Sequence, residues 1–143
     1  MNVAFQEAEK GLKCNEVPVG AVLYSPQNQK ILAKGHNMCE LYQSRLLHAE
    51  IVCLNQISLQ TKYHTEEIWA LITLEPCAIC IGHMLMHNVT RLYYALDDYK
   101  YGFFNGSYMN LRFDLKRIQI HVGLMEDRSR ILLKDFFTTL RQK

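Results

Sequence analysis

The sequence of 143 residues predicts one α/β domain of three layers, in which a mixed five-stranded sheet lies between helices. The first reason is the order of the predicted elements, which runs α-β-β-α-β-α-β-loop-β-α. The second is the short segment 68–73, which is almost wholly apolar, as expected of a strand buried on both faces. The third is the chain length, which suits a single core, and no linker, repeat or low-complexity segment interrupts it. We therefore assign residues 1–143 to one domain.

The elements of the first half follow from apolar spacing and turn residues. Phe5, Ala8 and Leu12 fall on one stripe, which predicts an amphipathic helix. A β-rich run and an alternating run flank a polar turn, which predicts a hairpin. A later segment repeats apolar residues at helical spacing. The predicted elements are a helix at 2–13, strands at 19–24 and 30–37, and a helix at 48–59.

The second half is predicted in the same way. Its elements are a strand at 68–73, a helix at 77–87, strands at 91–95 and 119–123, and a helix at 126–141. The last helix has acidic Glu126 and Asp127 in its first turn, where they suit the helix dipole. Leu132, Phe136 and Leu140 form its apolar stripe.

Composition limits the classes of protein that this chain can represent. It is 49% hydrophobic and 21% charged, as in folded soluble proteins. No apolar run reaches the roughly 18 residues of a membrane span, so we expect no membrane partner. The N-terminal segment lacks a basic region followed by an apolar block, so no secretory signal is predicted. Five cysteines without a disulfide pattern favour reduced thiols and a cytoplasmic location, with Cys14, Cys39 and Cys53 as packing residues.

Charge is distributed unevenly along the chain. Residues 1–90 carry six Lys and Arg against eight Asp and Glu, a net charge of −2. Residues 91–143 carry ten against six, a net charge of +4. The basic half could follow a phosphate backbone, although a solvated helical surface explains the same charges equally well.

The clearest chemical signal is the motif Pro76-Cys77-Ala78-Ile79-Cys80, read together with His48. Proline suits the first turn of a helix, and the helix dipole there favours thiolate over thiol at Cys77 and Cys80. His48 is the natural third ligand, and no fourth ligand of matching context lies nearby. Three protein ligands and an open position are typical of catalytic zinc, so we predict one Zn²⁺ per chain. The predicted helices that carry His48 and the two cysteines each begin after a strand or after the loop that follows a strand. The predicted ligands could therefore meet at one edge of the sheet.

The two cysteines allow three other interpretations. A redox dithiol is expected near the start of a βαβ unit, without a matched His-x-Glu. Structural zinc usually has four protein ligands. Two inert packing cysteines are also conceivable. His48-Ala49-Glu50 is combined with a Pro-Cys-x-x-Cys motif whose first cysteine lies 29 positions after the histidine. This combination matches the signature of the zinc nucleobase deaminases and favours catalytic zinc.

Glu50 is the candidate proton shuttle of such a site. Spacing alone does not bring it to the metal, because residues two apart on an ideal helix point to nearly opposite sides. Glu50 and His48 can converge only if His48 lies at the irregular first turn. Without the motif, Glu50 would be interpreted as a favourable charge at a helix N-terminus.

The chain resembles the cytidine and deoxycytidylate deaminase superfamily, and more closely the bacterial tRNA-specific adenosine deaminases that convert wobble adenosine to inosine. The resemblance runs nearly end to end. It rests on Glu16-Val17-Pro18-Val19-Gly20, Gly35-His36-Asn37, His48-Ala49-Glu50-Ile51, Thr73-Leu74-Glu75-Pro76-Cys77, Asp98-Tyr99-Lys100-Tyr101-Gly102, Gly106-Ser107 and Asp135-Phe136-Phe137. It implies a three-layer cytidine-deaminase-like fold and a homodimer in which both subunits shape the RNA site.

The resemblance also implies roles for single residues. His48, Cys77 and Cys80 would hold zinc, and Glu50 would move protons. The substrate would be a tRNA anticodon stem-loop, bound through Asn37, the backbone of Ala49, Asp98 and Lys100.

This chain departs from the family pattern at two places. Arg45-Leu46-Leu47 stands before His48, where the family usually has Pro-Thr-Ala, and a longer loop carries bulky Phe103 and Phe104. Aromatic residues of this region could stack on splayed bases or pack on one another. They are Tyr99, Tyr101, Phe103, Phe104 and Tyr108. Two other functions stay open: a deaminase of free bases or nucleosides, and a catalytically silent zinc fold. Intact His48, Glu50, Cys77 and Cys80 disfavour the second.

Overall fold

A computed structural model describes residues 1–60, 66–106 and 114–142 of the chain. Its elements, in chain order, are α1 (Asn2–Lys13), β1 (Gly20–Ser25), β2 (Lys30–His36), α2 (Ala49–Gln60), β3 (Ile68–Ile72), α3 (Ala78–Met86), β4 (Val89–Tyr94), a 3₁₀ helix (Leu115–Arg117), β5 (Gln119–Val122) and α4 (Glu126–Arg141). The predicted element order is confirmed, and the short 3₁₀ helix is an addition to it.

The strands form one mixed sheet in the order β2-β1-β3-β4-β5. β1 pairs antiparallel with both β2 and β3. β3, β4 and β5 pair in parallel, so their carboxyl ends meet at one edge. The predicted mixed five-stranded sheet is therefore confirmed, and the edge to which β3 leads is where α3 begins.

The helices cover the two faces of the sheet. α2 and α3 pack on one face, where Leu54, Ile57 and Ile81 join strand residues such as Ile72 and Leu92 in the main core. α1 packs on the other face against β1 and β2. α4 lies beside α1, since the Arg128 guanidinium sits over the Phe5 ring, at 4.6 Å from its centroid. This arrangement is the predicted three-layer fold.

Gly20 explains how α1 can lie so close to β1. A Cβ at this position would overlap the backbone of α1 at Ala4 and Ala8. The strand backbone and the helix backbone are therefore in direct contact, which only glycine permits here.

Several boundaries and burial assignments differ from the predictions. The helix predicted at 48–59 begins at Ala49, and the strand predicted at 91–95 begins at Val89. The predicted stripe of α4 is buried only in part, because Leu132 and Phe136 are half-buried whereas Leu140 is exposed. Leu133, which lies beside this stripe, is buried. Among the described residues, no helix has both the length and the apolar character that crossing a membrane requires.

Candidate metal centre and active site

Two helix starts bring the predicted ligands together. His48 immediately precedes α2, and its carbonyl accepts a hydrogen bond from the Val52 N–H over 3.0 Å. Cys77 is the N-cap of α3, with extended backbone angles, and its carbonyl accepts from the Ile81 N–H over 3.0 Å. Cys80 lies in the first turn of α3 and is fully buried. Both helices pack on the same face of the sheet, so both N-termini open into one site.

The three donor atoms form a nearly equilateral triangle. The Cys77 Sγ, Cys80 Sγ and His48 Nδ1 atoms are each 3.6 Å from the other two. Tetrahedral zinc with ordinary Zn–S and Zn–N bonds separates such ligand atoms by about 3.6–3.8 Å. Among the described residues, His48, Cys77 and Cys80 form the one group of His, Cys and acidic side chains whose donor atoms lie close enough together to bind a metal ion. The triangle therefore fits zinc.

The electrostatics of the three ligands also call for a cation. Hydrogen bonds lower the pKa of the Cys77 thiol to about 4, although burial alone would raise it. The bond with Cys80 has the largest effect, and the bond with His48 adds a smaller one. The Cys77 contact and burial raise the pKa of Cys80 well above its ordinary value. The contact with Cys77 raises the pKa of His48. The protein alone thus stabilises one thiolate, and a divalent cation bound here would let both sulfurs ionise.

Glu50 lies in the first turn of α2 and is only 4% exposed. Burial raises the pKa of its carboxyl, against the opposing effects of a backbone hydrogen bond and of His48. Its negative charge raises the pKa of His48 and adds to the raised pKa of Cys80, which places the carboxyl close to both residues. His48 lies just outside the helix, so the condition under which His48 and Glu50 converge is met. A buried carboxyl with a raised pKa suits proton transfer.

Residues 1–96 match the family model described as the cytidine and deoxycytidylate deaminase zinc-binding region. The chain belongs to the cytidine and deoxycytidylate deaminase family. This match spans His48, Glu50, Cys77 and Cys80. The predicted resemblance to this superfamily is confirmed.

Relatives within the family match the whole chain. The tRNA-specific adenosine deaminase of Rickettsia felis is 35% identical over 144 residues, covering 99% of this chain and 100% of the relative. The protein of the same name from Bacillus subtilis is 34% identical and covers 100% of this chain and 89% of the relative. The predicted closer resemblance to the bacterial tRNA-specific adenosine deaminases is likewise confirmed.

Solved structures show the same fold. One from a study of A-to-I editing by tRNA:A34 deaminases at the wobble position of transfer RNA has a TM-score of 0.80 and 26% identity, covering 93% of this chain and 97% of that one. A guanine deaminase from Nitrosomonas europaea has a TM-score of 0.77 at 18% identity, covering 94% and 81% of the two chains. The second likeness concerns the fold alone.

Asn37 directly follows β2. It lies at the edge of the sheet where the helices that carry His48 and Cys77 begin. Its neighbour Met38 donates its N–H to the Leu47 carbonyl over 2.9 Å, which ties this turn to the residue before His48. The Asn37 side chain is buried, and its amide donates to Glu16. The sequence motif contains Glu16, but the spacing of residues alone assigned it no role.

Asp98 and Lys100 lie in a loop that follows β4. The Asp98 Oδ1 atom accepts from the N–H groups of Lys100 and Tyr101 over 2.9 and 3.0 Å. The Lys100 side chain is exposed, with Nζ 4.8 Å from the centre of the Tyr101 ring. Buried Glu75 accepts hydrogen bonds from the same loop, another role that sequence spacing did not reveal. The sequence signal that could have identified Glu75 is the Leu74-Glu75-Pro76-Cys77 motif, which is part of the family resemblance.

The aromatic residues of this loop divide into two groups. Phe103 is buried in the main core, and Phe104 stacks on Tyr94, with ring centres 6.1 Å apart and planes 4° apart. These two follow the interpretation in which the loop packs on its own aromatics. Tyr99 and Tyr101 are exposed. Tyr108 and Ser107 lie outside the described residues.

The remaining cysteines lie outside the metal group. Cys53 is buried, and its thiol donates to the Ala21 carbonyl over 3.4 Å, as a packing residue would. Cys39 is half-buried and donates to Asn37. The prediction of a packing role is wrong for Cys14, which is exposed one residue beyond the end of α1.

Proposed function

We propose that this chain is a zinc-dependent hydrolase that converts adenosine to inosine at the wobble position of a tRNA anticodon loop. The observation that carries the proposal is the triangle of His48, Cys77 and Cys80 with Glu50 buried beside it. The full-length likeness to relatives named tRNA-specific adenosine deaminase supports the substrate.

The chemistry follows from the residues at the site. Zinc held by His48, Cys77 and Cys80 would lower the pKa of a water molecule and supply hydroxide near neutral pH. In the reaction, the water oxygen bonds to C6 of adenosine and the bond from C6 to the exocyclic nitrogen breaks, so that inosine and ammonia form. Glu50 takes a proton from the attacking water and delivers protons to the base and to the leaving amine.

Four positions are proposed to hold the RNA. Asn37 and the backbone of Ala49 would contact the target nucleoside, because both lie close to His48. Ala49 directly follows His48, and Met38, next to Asn37, is hydrogen-bonded to Leu47, which directly precedes it. Asp98 and Lys100 would contact flanking nucleotides. An anticodon loop offers an unpaired base, so moving it into the site costs less free energy than extracting a base from a duplex. The net charge of +4 over residues 91–143 suits the phosphates around it.

A homodimer in the cytoplasm is part of the proposal. Ile79 and Met86 on α3 are exposed, as are Leu41, Tyr42 and Leu46 in the segment before His48. A second copy of the chain would cover these apolar side chains beside the site. Five free cysteines suit a reducing compartment. Light scattering of the parent and of Met86→Glu tests the assembly, and a monomeric parent would refute it.

The substrate is tested by a panel of reactions with the zinc-loaded protein. Whole tRNA, an anticodon stem-loop, free adenosine, free cytosine and free guanine are incubated in parallel, and ammonia and inosine are measured. We expect inosine at the wobble position with equimolar ammonia, poor turnover of the free compounds, and a rate on RNA that falls as salt rises. Efficient turnover of a free base without inosine in any RNA would identify a free-base deaminase instead. No turnover at all would indicate a silent zinc fold.

A further inference from the structure

Glu75 connects the end of β3 to the metal-bearing helix α3, and it is only 4% exposed. Its carboxylate accepts four hydrogen bonds from one distant loop. The donors are the N–H groups of Asp98 at 2.8 Å, Phe104 at 2.6 Å and Asn105 at 2.9 Å, and the Asn105 side-chain amide at 3.1 Å. We call residues 98–105 the anchored loop.

The anchored loop is built around this carboxylate. An ionised carboxylate can only accept hydrogen bonds, and each of the four groups bound to Glu75 is a donor. Every one of these contacts is therefore a favourable hydrogen bond. Gly102 lies against the carboxylate, and a Cβ on it would overlap the Glu75 side chain and the Asp98 carbonyl. The loop therefore wraps Glu75 closely, and a glycine is needed for the approach.

The same loop is attached to the metal site. The Phe103 N–H donates to the Pro76 carbonyl over 2.9 Å, and Pro76 directly precedes the ligand Cys77. Asp98, whose N–H is bound by Glu75, uses its own carboxylate to accept from the Lys100 and Tyr101 N–H groups. Two hydrogen-bonded steps thus lead from buried Glu75 to exposed Lys100.

We propose that Glu75 is a positioning residue for RNA recognition: its buried carboxylate fixes the anchored loop on the start of α3 and so presents Asp98 and Lys100 to the nucleotides that flank the target. The inference rests on the proposed function, since it needs an RNA substrate. The four hydrogen bonds of the carboxylate go to the anchored loop and not to His48, Cys77 or Cys80. Its effect should fall on RNA binding more than on the chemical step.

The anchoring is tested without any activity assay. Glu75→Gln places an amide N–H₂ group where backbone N–H groups need an acceptor. Amide hydrogen exchange by NMR should then become faster at Asp98, Phe104 and Asn105, while α2 keeps its protection and zinc stays at one per chain. Glu67→Gln is the matched control. That carboxylate accepts from Trp69 Nε1 and Thr90 Oγ1 at the opposite end of β3. Unchanged exchange at the three amides of Glu75→Gln would overturn the anchoring.

The positioning is tested by kinetics on the anticodon stem-loop. Glu75→Gln should lower kcat/KM about 10-fold or more, mainly by raising KM, because misplaced binding groups lose catalytic efficiency steeply. Lys100→Ala should lower kcat/KM in the parent but add little in the Glu75→Gln background, because the two act through one loop. Full additivity, or a parent-like KM for Glu75→Gln, would overturn the proposal.

A second variant guards against misfolding of the first. Gly102→Ala pushes a methyl group onto the same carboxylate and should reproduce both the exchange pattern and the raised KM. Normal kinetics in Gly102→Ala with faster exchange at the three amides would count against positioning. A parent that forms no inosine refutes the proposed function, whereas an active parent with equally active variants refutes the inference alone.

Discussion

The side-chain amide of Asn37 donates a hydrogen bond to the carboxylate of Glu16 over 3.0 Å. Glu16 is 1% exposed and also accepts from the N–H groups of Glu40 and Leu41, at 3.1 and 2.8 Å. The Cys39 thiol donates to the Asn37 Oδ1 atom over 3.3 Å. Because a carboxylate only accepts, Glu16 fixes which way the Asn37 amide faces. Under the proposed function, the second N–H of the Asn37 amide would donate to the bound base.

Glu16→Gln should weaken substrate recognition without loss of zinc. Glutamine can donate as well as accept, so the Asn37 amide loses its fixed orientation. Hydrogen bonds to charged groups are worth about 1.5–3 kcal/mol, so we expect kcat/KM on the stem-loop to fall about 10-fold or more. Glu40→Gln, an exposed neighbour, is the control and should stay near the parent. Activity of Glu16→Gln within twofold of the parent would contradict the role.

Cys80→Ser should remove the metal. We expect about one zinc per chain in the parent and far less in the variant, because a hydroxyl replaces a thiolate ligand. Thermal stability should fall with it, since a metal that binds only the folded state stabilises that state. Metal analysis and thermal unfolding provide the measurements. Cys14→Ser, which changes an exposed cysteine, should retain its zinc; equal zinc in all three proteins would exclude Cys80 as a ligand.

Glu50→Gln should keep zinc and fold but lose deamination. The amide preserves shape and cannot carry protons between water, base and amine. General acid–base groups typically contribute about 10²–10⁴-fold to rate, and a residue that serves several transfers can exceed this. Single-turnover formation of inosine is the measurement, with metal content recorded beside it. A rate within threefold of the parent would show that another group moves the protons.

Glu7 should make stability depend on acid pH. Burial tends to raise the pKa of this carboxyl, but contacts with Lys10, His36 and Lys34 outweigh burial and lower it. A folded-state pKa below the unfolded value adds stability above the ordinary pKa of Glu and loses it as pH falls through the folded value.

The measurement is unfolding of the parent and of Glu7→Gln as a function of pH. We expect Glu7→Gln to cost about 1–3 kcal/mol at neutral pH and progressively less in acid. Glu9→Gln on the same helix is the control, because its exposed pair with Arg128 should contribute little. A pH-independent difference between parent and Glu7→Gln would contradict this account.

Periodicity and turn residues predicted the fold because they report local burial. The last helix, Glu126–Arg141, has the predicted bounds, since acidic residues mark its start and apolar residues recur along it. The burial of that helix was predicted less well, because Leu140 fits its apolar spacing and yet is exposed. Residue type and spacing also predicted the group of His48, Cys77 and Cys80, whose donor atoms lie close together in the structure.

The supporting carboxylates could not be predicted from local sequence. Glu16 binds groups 21–25 residues away, and Glu75 binds groups 23–30 residues away. Periodicity and spacing do not distinguish such a buried acid from a solvated one, and only the family motifs around Glu16 and Glu75 drew attention to them. Only the sheet, which brings distant turns to one edge, turns these carboxylates into acceptors for whole loops.

His48 and Cys77 lie at the starts of two different helices, so the metal site can form only after these helices are in place. His48 and Cys77 are 29 residues apart in the chain, so their donor atoms meet only after α2 and α3 have docked on the sheet. A link across a ring of that size in the unfolded chain is worth roughly 3–4 kcal/mol by the loop-entropy rule for cross-links. A zinc ion bound by these residues would therefore join late in assembly, and it would slow unfolding more than it would change the rate of collapse.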